Sequence, residues 1–188
     1  MQKNRRQIVS TITMHGWTLL ESLLALALLA LLLGLVAPAM TGVRTRVQMQ
    51  AVAQDLLASL LWARAEALQR QWRVAVCPSA DGYSCDSQGR WELGWLVFED
   101  REVNGRRDAH EAVLRQVQGA DPRWVLRGNS MVADQVSYTP QGRSQMPSGA
   151  FQAGTLRLCA PQQARGWRLV INALGKPRLE PEAVSTCV

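Results

Sequence analysis

Residues 14–21, Met-His-Gly-Trp-Thr-Leu-Leu-Glu, open a run of about twenty apolar residues near the start of this 188-residue chain. Glu21 is the only charged residue between Trp17 and Val43. Placing an ionised carboxylate in a hydrocarbon-bound helix costs about 2.5 to 3.5 kcal/mol on insertion scales. The sequence therefore predicts a functional role for Glu21 and a cationic partner for it. We predict that this partner is the α-amino group freed by cleavage after Gly16.

The apolar run is long enough to cross a membrane. Residues 23–40 could span a bilayer as one helix, and three basic residues among the first six positions favour a cytoplasmic amino terminus. A secretory signal that is cut and lost is the alternative, since Ala37-Pro38-Ala39 supplies a small-residue cleavage site. The acid at Glu21 and the length of the run argue against that alternative.

Gly16 followed by Trp17-Thr18-Leu19-Leu20-Glu21 resembles the prepilin peptidase signal of type IV pilins and type II secretion pseudopilins. The resemblance implies cleavage between Gly16 and Trp17, N-methylation of Trp17 and retention of the helix. It also implies that Glu21 pairs with the amino terminus of a neighbouring subunit during filament assembly. Trp17 departs from the usual phenylalanine but remains aromatic.

That resemblance divides the chain into three parts. Residues 1–16 would be a leader peptide, residues 17–42 a transmembrane and assembly helix, and residues 43–188 a periplasmic domain. The implied location is the inner membrane, which the chain would cross once. The carboxyl-terminal domain would lie in the periplasm or, after assembly, in a pilus. The implied partners are prepilin peptidase, other pilins or pseudopilins, and inner-membrane lipid.

The chain changes its hydrophobic period near residue 72. Apolar residues recur at three- and four-residue steps up to residue 68, which predicts one helix over residues 18–71. Short alternating segments separated by turn residues follow. We predict strands at 72–77, 91–98, 113–117, 124–127, 136–138, 155–159 and 167–173, with a last one near Arg178. The fold class is therefore α+β, a long amino-terminal helix packed on an antiparallel sheet, as in type IV pilins.

Four cysteines, Cys77, Cys85, Cys159 and Cys187, have spacings unlike those of zinc knuckles. In a periplasmic domain disulfides would persist, and four cysteines allow three pairings. We favour Cys77–Cys85 and Cys159–Cys187, because each closes a local segment. The chain-entropy model gives about 2.6 and 3.6 kcal/mol for these two bonds. Buried free thiols are the alternative, and we predict no metal site.

A second resemblance lies in the domain itself. The segment from Cys77-Pro78-Ser79-Ala80-Asp81-Gly82 to Cys85, with Trp91, Gly94-Trp95 and Phe98-Glu99-Asp100, resembles FimT-type minor pilins, which share a domain family with the type II secretion pseudopilin GspH. The implied function is a minor pilin that primes assembly of a type IV pilus. The first alternative is a minor pseudopilin H of a type II secretion system. The other is a singly anchored periplasmic protein that never enters a filament.

The formal net charge of +6 is unevenly distributed. No acid occurs between Asp134 and Glu180, and such a stretch is a candidate anion-binding surface, with a solvated basic face as the alternative. Its bases are Arg143, Arg157, Arg165, Arg168, Lys176 and Arg178.

FimT proteins of natural transformation bind DNA through a G-R-x-R element, which Gly175-Lys176-Pro177-Arg178 resembles. The resemblance implies that Lys176 and Arg178, widened by Arg165 and Arg168, contact double-stranded DNA without sequence preference. Lysine in place of arginine keeps the charge but loses the bidentate fork.

The sequence contains no catalytic constellation. His15 falls in the predicted leader, and His110 lies in a charged loop where solvent exposure is the default expectation. No nucleophile elbow, zinc-protease motif or phosphate-binding loop occurs. We therefore predict that the protein is not an enzyme and needs no cofactor.

Overall fold

The structure, a computed structural model, describes residues 18–187, without the side chains of residues 33–41. The first element is helix α1, Leu19–Arg70. Thr18 caps its amino terminus, since the amide of Glu21 donates to Thr18 Oγ1 at 3.3 Å. The spacing Thr-x-x-Glu is that of a capping box. The predicted cleavage site between Gly16 and Trp17 lies outside the described residues.

The chain divides into two compact units, the first ending at Thr41 and the second beginning at Gly42. The described side chains of the first unit, residues 18–32, are all exposed and mostly leucine. Within the described part of the chain, no helix combines the length and the apolar character that crossing a membrane requires. The predicted span over residues 23–40 includes residues 33–40, whose side chains are outside that description.

In the second unit, α1 buries one face. Its buried apolar residues recur at three- and four-residue steps, which places them on one side of a 3.6-residue helix. They are Met49, Ala53, Leu56, Leu60, Ala63 and Ala67. The helix ends at Arg70, and Gln71 follows with a φ of 58°, in the left-handed region that commonly closes helices.

Eight strands follow α1, and their order along the chain agrees with the sequence. The bounds are β1 Val74–Pro78, β2 Gly94–Glu99, β3 Val113–Gln118, β4 Val125–Gly128, β5 Val136–Tyr138, β6 Gly154–Cys159, β7 Arg165–Ile171 and β8 Pro177–Ala183. They form two antiparallel four-stranded sheets, with orders β3-β2-β1-β5 and β4-β6-β7-β8. The predicted α+β class is confirmed.

Two details differ from the sequence prediction. The strands form two sheets rather than one, and the strand predicted over 91–98 begins only at Gly94, after a 3₁₀ turn at Trp91–Leu93. Gly94 has a φ of 118°, and a Cβ there would lie 2.5 Å from the carbonyl oxygen of Val117. Only glycine fits this close approach between β2 and β3, so the alternating pattern is interrupted there.

The main core lies between the buried face of α1 and both sheets. Two tryptophans anchor it through their indole N–H groups. Trp95 Nε1 donates to Ser59 Oγ on α1 at 3.0 Å, and Trp91 Nε1 donates to the carbonyl of Ala133 at 2.7 Å. Buried tryptophans need such partners. The first bond joins β2 to α1, and the second joins the 3₁₀ turn to the loop before β5.

The structure pairs Cys77 with Cys85 and Cys159 with Cys187, the pairing that the sequence favoured. Cys77 packs with Ala75, Leu96 and Phe98 in a second, smaller core, against which Cys85 is partly buried. The other bond joins the end of β6 to the carboxyl-terminal segment. Each disulfide therefore fastens a segment that carries no strand pairing of its own.

Candidate functional site

Glu21 lies in the first turn of α1 and is exposed. Its amide is satisfied by Thr18, and its carboxylate forms no ion pair with any residue that the structure describes. A carboxylate near a helix amino terminus also interacts favourably with the helix dipole. Glu21 can therefore complement the helix dipole and accept an incoming cation.

The four residues predicted to contact DNA lie along the β7–β8 hairpin. Arg165 is paired with Ala183 at one end of the hairpin, and Lys176 lies in the turn at the other end. Six residue steps separate Arg165 from the last residue of β7, which is about 20 Å at the usual strand rise. The hairpin therefore does not bring Arg165 together with Lys176.

Arg168 and Arg178 converge on one acid, Glu180. Arg168 Nε donates to one carboxylate oxygen of Glu180 at 2.8 Å, and Arg178 Nε donates to the other at 2.6 Å. These two arginines, Arg168 first, hold the pKa of Glu180 below its usual value. Glu180 thus offsets one of the two positive charges of this pair.

The acid-free stretch of sequence is therefore not an acid-free surface. Arg127, Arg157 and Arg168 lie directly opposite one another across β4, β6 and β7. Like charges in this arrangement repel, and each of the three has an acidic partner from outside the stretch. The partners are Glu92 for Arg127, Glu182 for Arg157 and Glu180 for Arg168. This part of the basic-surface prediction is corrected by strand pairing, which brings the acids of β8 alongside.

Lys176 instead lies beside a second turn, at residues 139–143. A Cβ on Gly175 would come within 2.8 Å of both the carbonyl oxygen of Gly142 and the amide nitrogen of Ser144. Arg64 on α1 reaches the same turn, donating from Nε to the carbonyl of Gly142 at 2.7 Å. We name Arg64, Arg143 and Lys176 the two-turn cluster.

The two-turn cluster carries uncompensated positive charge. Arg143 and Lys176 are exposed and Arg64 is half-buried. Among residues 18–187, none of the three forms an ion pair. The sequence pattern indicated Lys176 as a DNA contact and Arg143 as one base of the acid-free stretch, but it did not indicate Arg64. That residue lies 78 positions before Gly142, and only the packing of α1 brings them together.

In the described part of the chain, no group of three or more His, Cys, Asp or Glu side chains could hold a metal ion. His110 is exposed and lies 3.3 Å from Glu102 across a loop. The described site residues therefore offer charge and shape for binding.

This architecture, a capped helix packed on antiparallel sheets, is that of type IV pilin-like proteins. The family model "Type II transport protein GspH" matches residues 52–175, and the chain belongs to this family of minor pilins and pseudopilins.

The chain is also similar to three individual proteins of known sequence or structure. It is 30% identical over 176 residues to the pilin-like protein PilA1 of Thermus thermophilus, covering 89% of this chain and 99% of the relative. It resembles the crystal structure of the type IV minor pilin FimU of Pseudomonas aeruginosa, with a TM-score of 0.57 and 23% identity, over 77% of this chain and 98% of the other. The structure of the minor pseudopilin EpsH from the Type 2 Secretion System of Vibrio cholerae matches this chain with a TM-score of 0.48 and 15% identity, over 71% of this chain and 96% of the other.

Proposed function

We propose that this chain is a minor pilin that primes assembly of a type IV pilus. In this proposal prepilin peptidase cuts between Gly16 and Trp17, and the Trp17 amine is methylated. The helix stays in the lipid of the inner membrane and the domain lies in the periplasm. Glu21 then pairs with the amino terminus of a neighbouring pilin. The observation in support is an exposed carboxylate in the first turn of α1, without an ion pair to any described residue.

Two variants test the assembly role. Glu21→Ala removes the whole carboxylate side chain, whereas Glu21→Gln removes the charge but keeps a side chain suited to this position of a capping box. We expect both variants to be cleaved normally, as measured by mass spectrometry of the mature amino terminus. We expect neither to enter sheared filaments. Normal incorporation of Glu21→Gln would contradict the ion-pair role.

We further propose that the domain binds DNA without sequence preference, in support of uptake, and that the two-turn cluster carries the contact. Lys176, Arg143 and Arg64 belong to three separate segments that meet at the turn of residues 139–143. Phosphate contacts supply affinity without sequence information, which suits a protein that takes up DNA of any sequence. Arg168 and Arg178 contribute less, because both are already paired with Glu180, which offsets one of their two charges.

The test uses the full chain in neutral-lipid nanodiscs and a labelled DNA duplex, with fluorescence anisotropy over about 50 to 200 mM salt. Lys176→Ala should weaken binding and reduce the magnitude of the log–log salt slope by about 0.9. Arg178→Ala is the matched control on the same hairpin, and we expect a smaller change. Equal losses for the two variants would contradict the assignment to the two-turn cluster.

A minor pseudopilin of a type II secretion system is the second candidate function. The family description favours it, and so does the internal pairing of Arg157, Arg168 and Arg178, which reduces the basic surface. Its partners would be other pseudopilins rather than nucleic acid. A full chain that ignores duplex DNA at low salt would support this candidate over the first.

A further inference from the structure

A shallow cleft adjoins the two-turn cluster. It has a volume of about 350 Å³, near the lower end of the range for small-molecule sites. Arg143 belongs to both the cleft and the cluster. The lining residues are Thr139, Gln141, Arg143, Ser144, Gln145, Gly149 and Phe151.

Phe151 is the unusual member of this lining, because 64% of its surface is exposed. Backbone contacts hold the main chain of Phe151 in place. A bridge pairs Phe151 with Gln145, and the amide of Met146 donates to the carbonyl of Ala150 at 2.8 Å. An isolated exposed phenylalanine needs no explanation, but this one is held at a cleft that also contains an arginine.

Most of the polar lining is already satisfied within the protein. Gln145 donates to the carbonyl of Gly149 and accepts from Arg73. Ser144 Oγ contacts the carbonyl oxygens of Gln152 and Asn172 at 2.6 and 3.0 Å. These bonds make the floor of the cleft rigid and leave it little capacity for a ligand.

The side chains that remain for a ligand are the ring of Phe151, the guanidinium of Arg143 and the amide of Gln141. An aromatic face beside a cation and an amide suits a planar base attached to a phosphate. Lys176, on the adjoining turn, would meet the next phosphate. In a duplex the faces of the bases are stacked on one another, so only an unpaired base could lie on Phe151.

We propose that this cleft binds single-stranded nucleic acid, with one base stacked on Phe151 and the flanking phosphates neutralised by Arg143 and Lys176. The proposal rests on the DNA-binding role of the two-turn cluster and adds a preference for unpaired strands. A neutral sugar ring can also stack on an aromatic side chain, but it would make no use of the two cations.

The test compares three labelled probes on the full chain in neutral-lipid nanodiscs. They are a single strand of about twelve nucleotides, an abasic strand with the same phosphates, and a duplex. Phe151→Ala should weaken binding of the single strand by about five- to a hundredfold, the usual effect of losing one stacked base. Binding of the abasic strand and of the duplex should not change. Phe151→Trp should retain binding of the single strand.

Tyr83→Ala is the matched control, because Tyr83 is also an aromatic residue with 64% of its surface exposed and lies on the loop closed by Cys77 and Cys85. It should leave all three affinities unchanged. Unchanged single-strand affinity in Phe151→Ala, with losses in Lys176→Ala, would overturn the stacking proposal and leave the DNA-binding role intact. Binding of no nucleic acid at all would overturn both. Phe151-dependent binding of a chitin oligosaccharide instead of the strand would make the cleft a glycan site and overturn the proposal.

Discussion

Arg168 and Glu180 lie directly opposite each other on β7 and β8, and Arg168 Nε donates to Glu180 Oε2 at 2.8 Å. The other oxygen of Glu180 accepts from Arg178 at 2.6 Å. Exposed ion pairs of this kind add little to stability. Their larger effect is on charge, because Glu180 offsets one of the two positive charges that Arg168 and Arg178 bring to the surface.

Glu180→Gln should therefore increase the affinity for duplex DNA. The variant removes one negative charge and leaves Arg168 and Arg178 available to phosphates. We expect the magnitude of the salt slope to increase by about 0.9 for each arginine that gains a phosphate contact. Anisotropy with the labelled duplex measures both the affinity and the slope.

Glu182→Gln is the control for this prediction, because it removes the same charge but releases Arg157 on β6 instead. It should raise the affinity less, since it releases one arginine whereas Glu180→Gln releases two. An unchanged affinity in Glu180→Gln would show that Arg168 and Arg178 do not reach the DNA.

The bond from Trp95 to Ser59 predicts a specific loss of stability. Ser59→Ala leaves the buried indole N–H of Trp95 without its acceptor, which should cost about 1 to 3 kcal/mol. In a Trp95→Phe background the same substitution should cost less, since the donor is already gone. Urea unfolding of the wild type, both single variants and the double variant measures the coupling. A coupling near zero would mean that the bond contributes nothing.

The Cys77–Cys85 disulfide should contribute more than its short loop suggests. The chain-entropy model gives about 2.6 kcal/mol, but Cys77 is also fully buried against Leu96 and Phe98. The double change Cys77→Ala and Cys85→Ala should therefore cost more than this, because truncation in a core also leaves a cavity. The matched control is Cys159→Ala with Cys187→Ala, for which we expect at most about 3.6 kcal/mol. A loss below about 2 kcal/mol for the first pair would contradict the packing argument.

Because of Asp100, the free energy of unfolding should decrease as the pH rises, which is opposite to the usual effect of a carboxyl group. The Asp100 carboxylate is fully buried and accepts from the amides of Asn104 and Gly105 at 3.0 and 3.1 Å. Burial, with a smaller effect from Glu111, raises its pKa above the ordinary 3.8. A raised pKa in the folded state means that the protonated carboxyl favours folding. This contribution is complete below the unfolded pKa and is lost as the pH rises through the folded pKa.

Asp100→Asn should consequently be more destabilising in acid than at neutral pH. The variant cannot titrate, and its amide group cannot accept from Gly105 as the second carboxylate oxygen does. The loss relative to the wild type should shrink as the pH rises, by about 1.4 kcal/mol for each unit by which the pKa is raised. Urea unfolding at about pH 3.5 and at neutral pH compares the two conditions. A loss that grows with pH would mean that the pKa of Asp100 is lowered instead.

Local chemistry accounts for what the sequence predicted about the strands and the cysteines. Alternation and turn residues locate the eight strands, because both act over a few neighbouring residues. The same patterns could not show that β1 pairs with β5, where Val74 lies opposite Tyr138, 64 residues further along. Nor could they show that the strands divide into two sheets. They also missed the 3₁₀ turn before Gly94, a residue whose close approach to the carbonyl of Val117 on another strand leaves no room for a side chain.

The sequence by itself determined the family and the long helix, since each depends on residues that are near one another in the chain. It favoured the disulfide pairing, which the structure then showed. Only the tertiary structure decided which basic residues are available to a ligand. Strand pairing placed Glu180 between Arg168 and Arg178, and helix packing brought Arg64 to the turn beside Lys176. Charges interact through space rather than along the chain, so a run without acids says little about the surface that it forms.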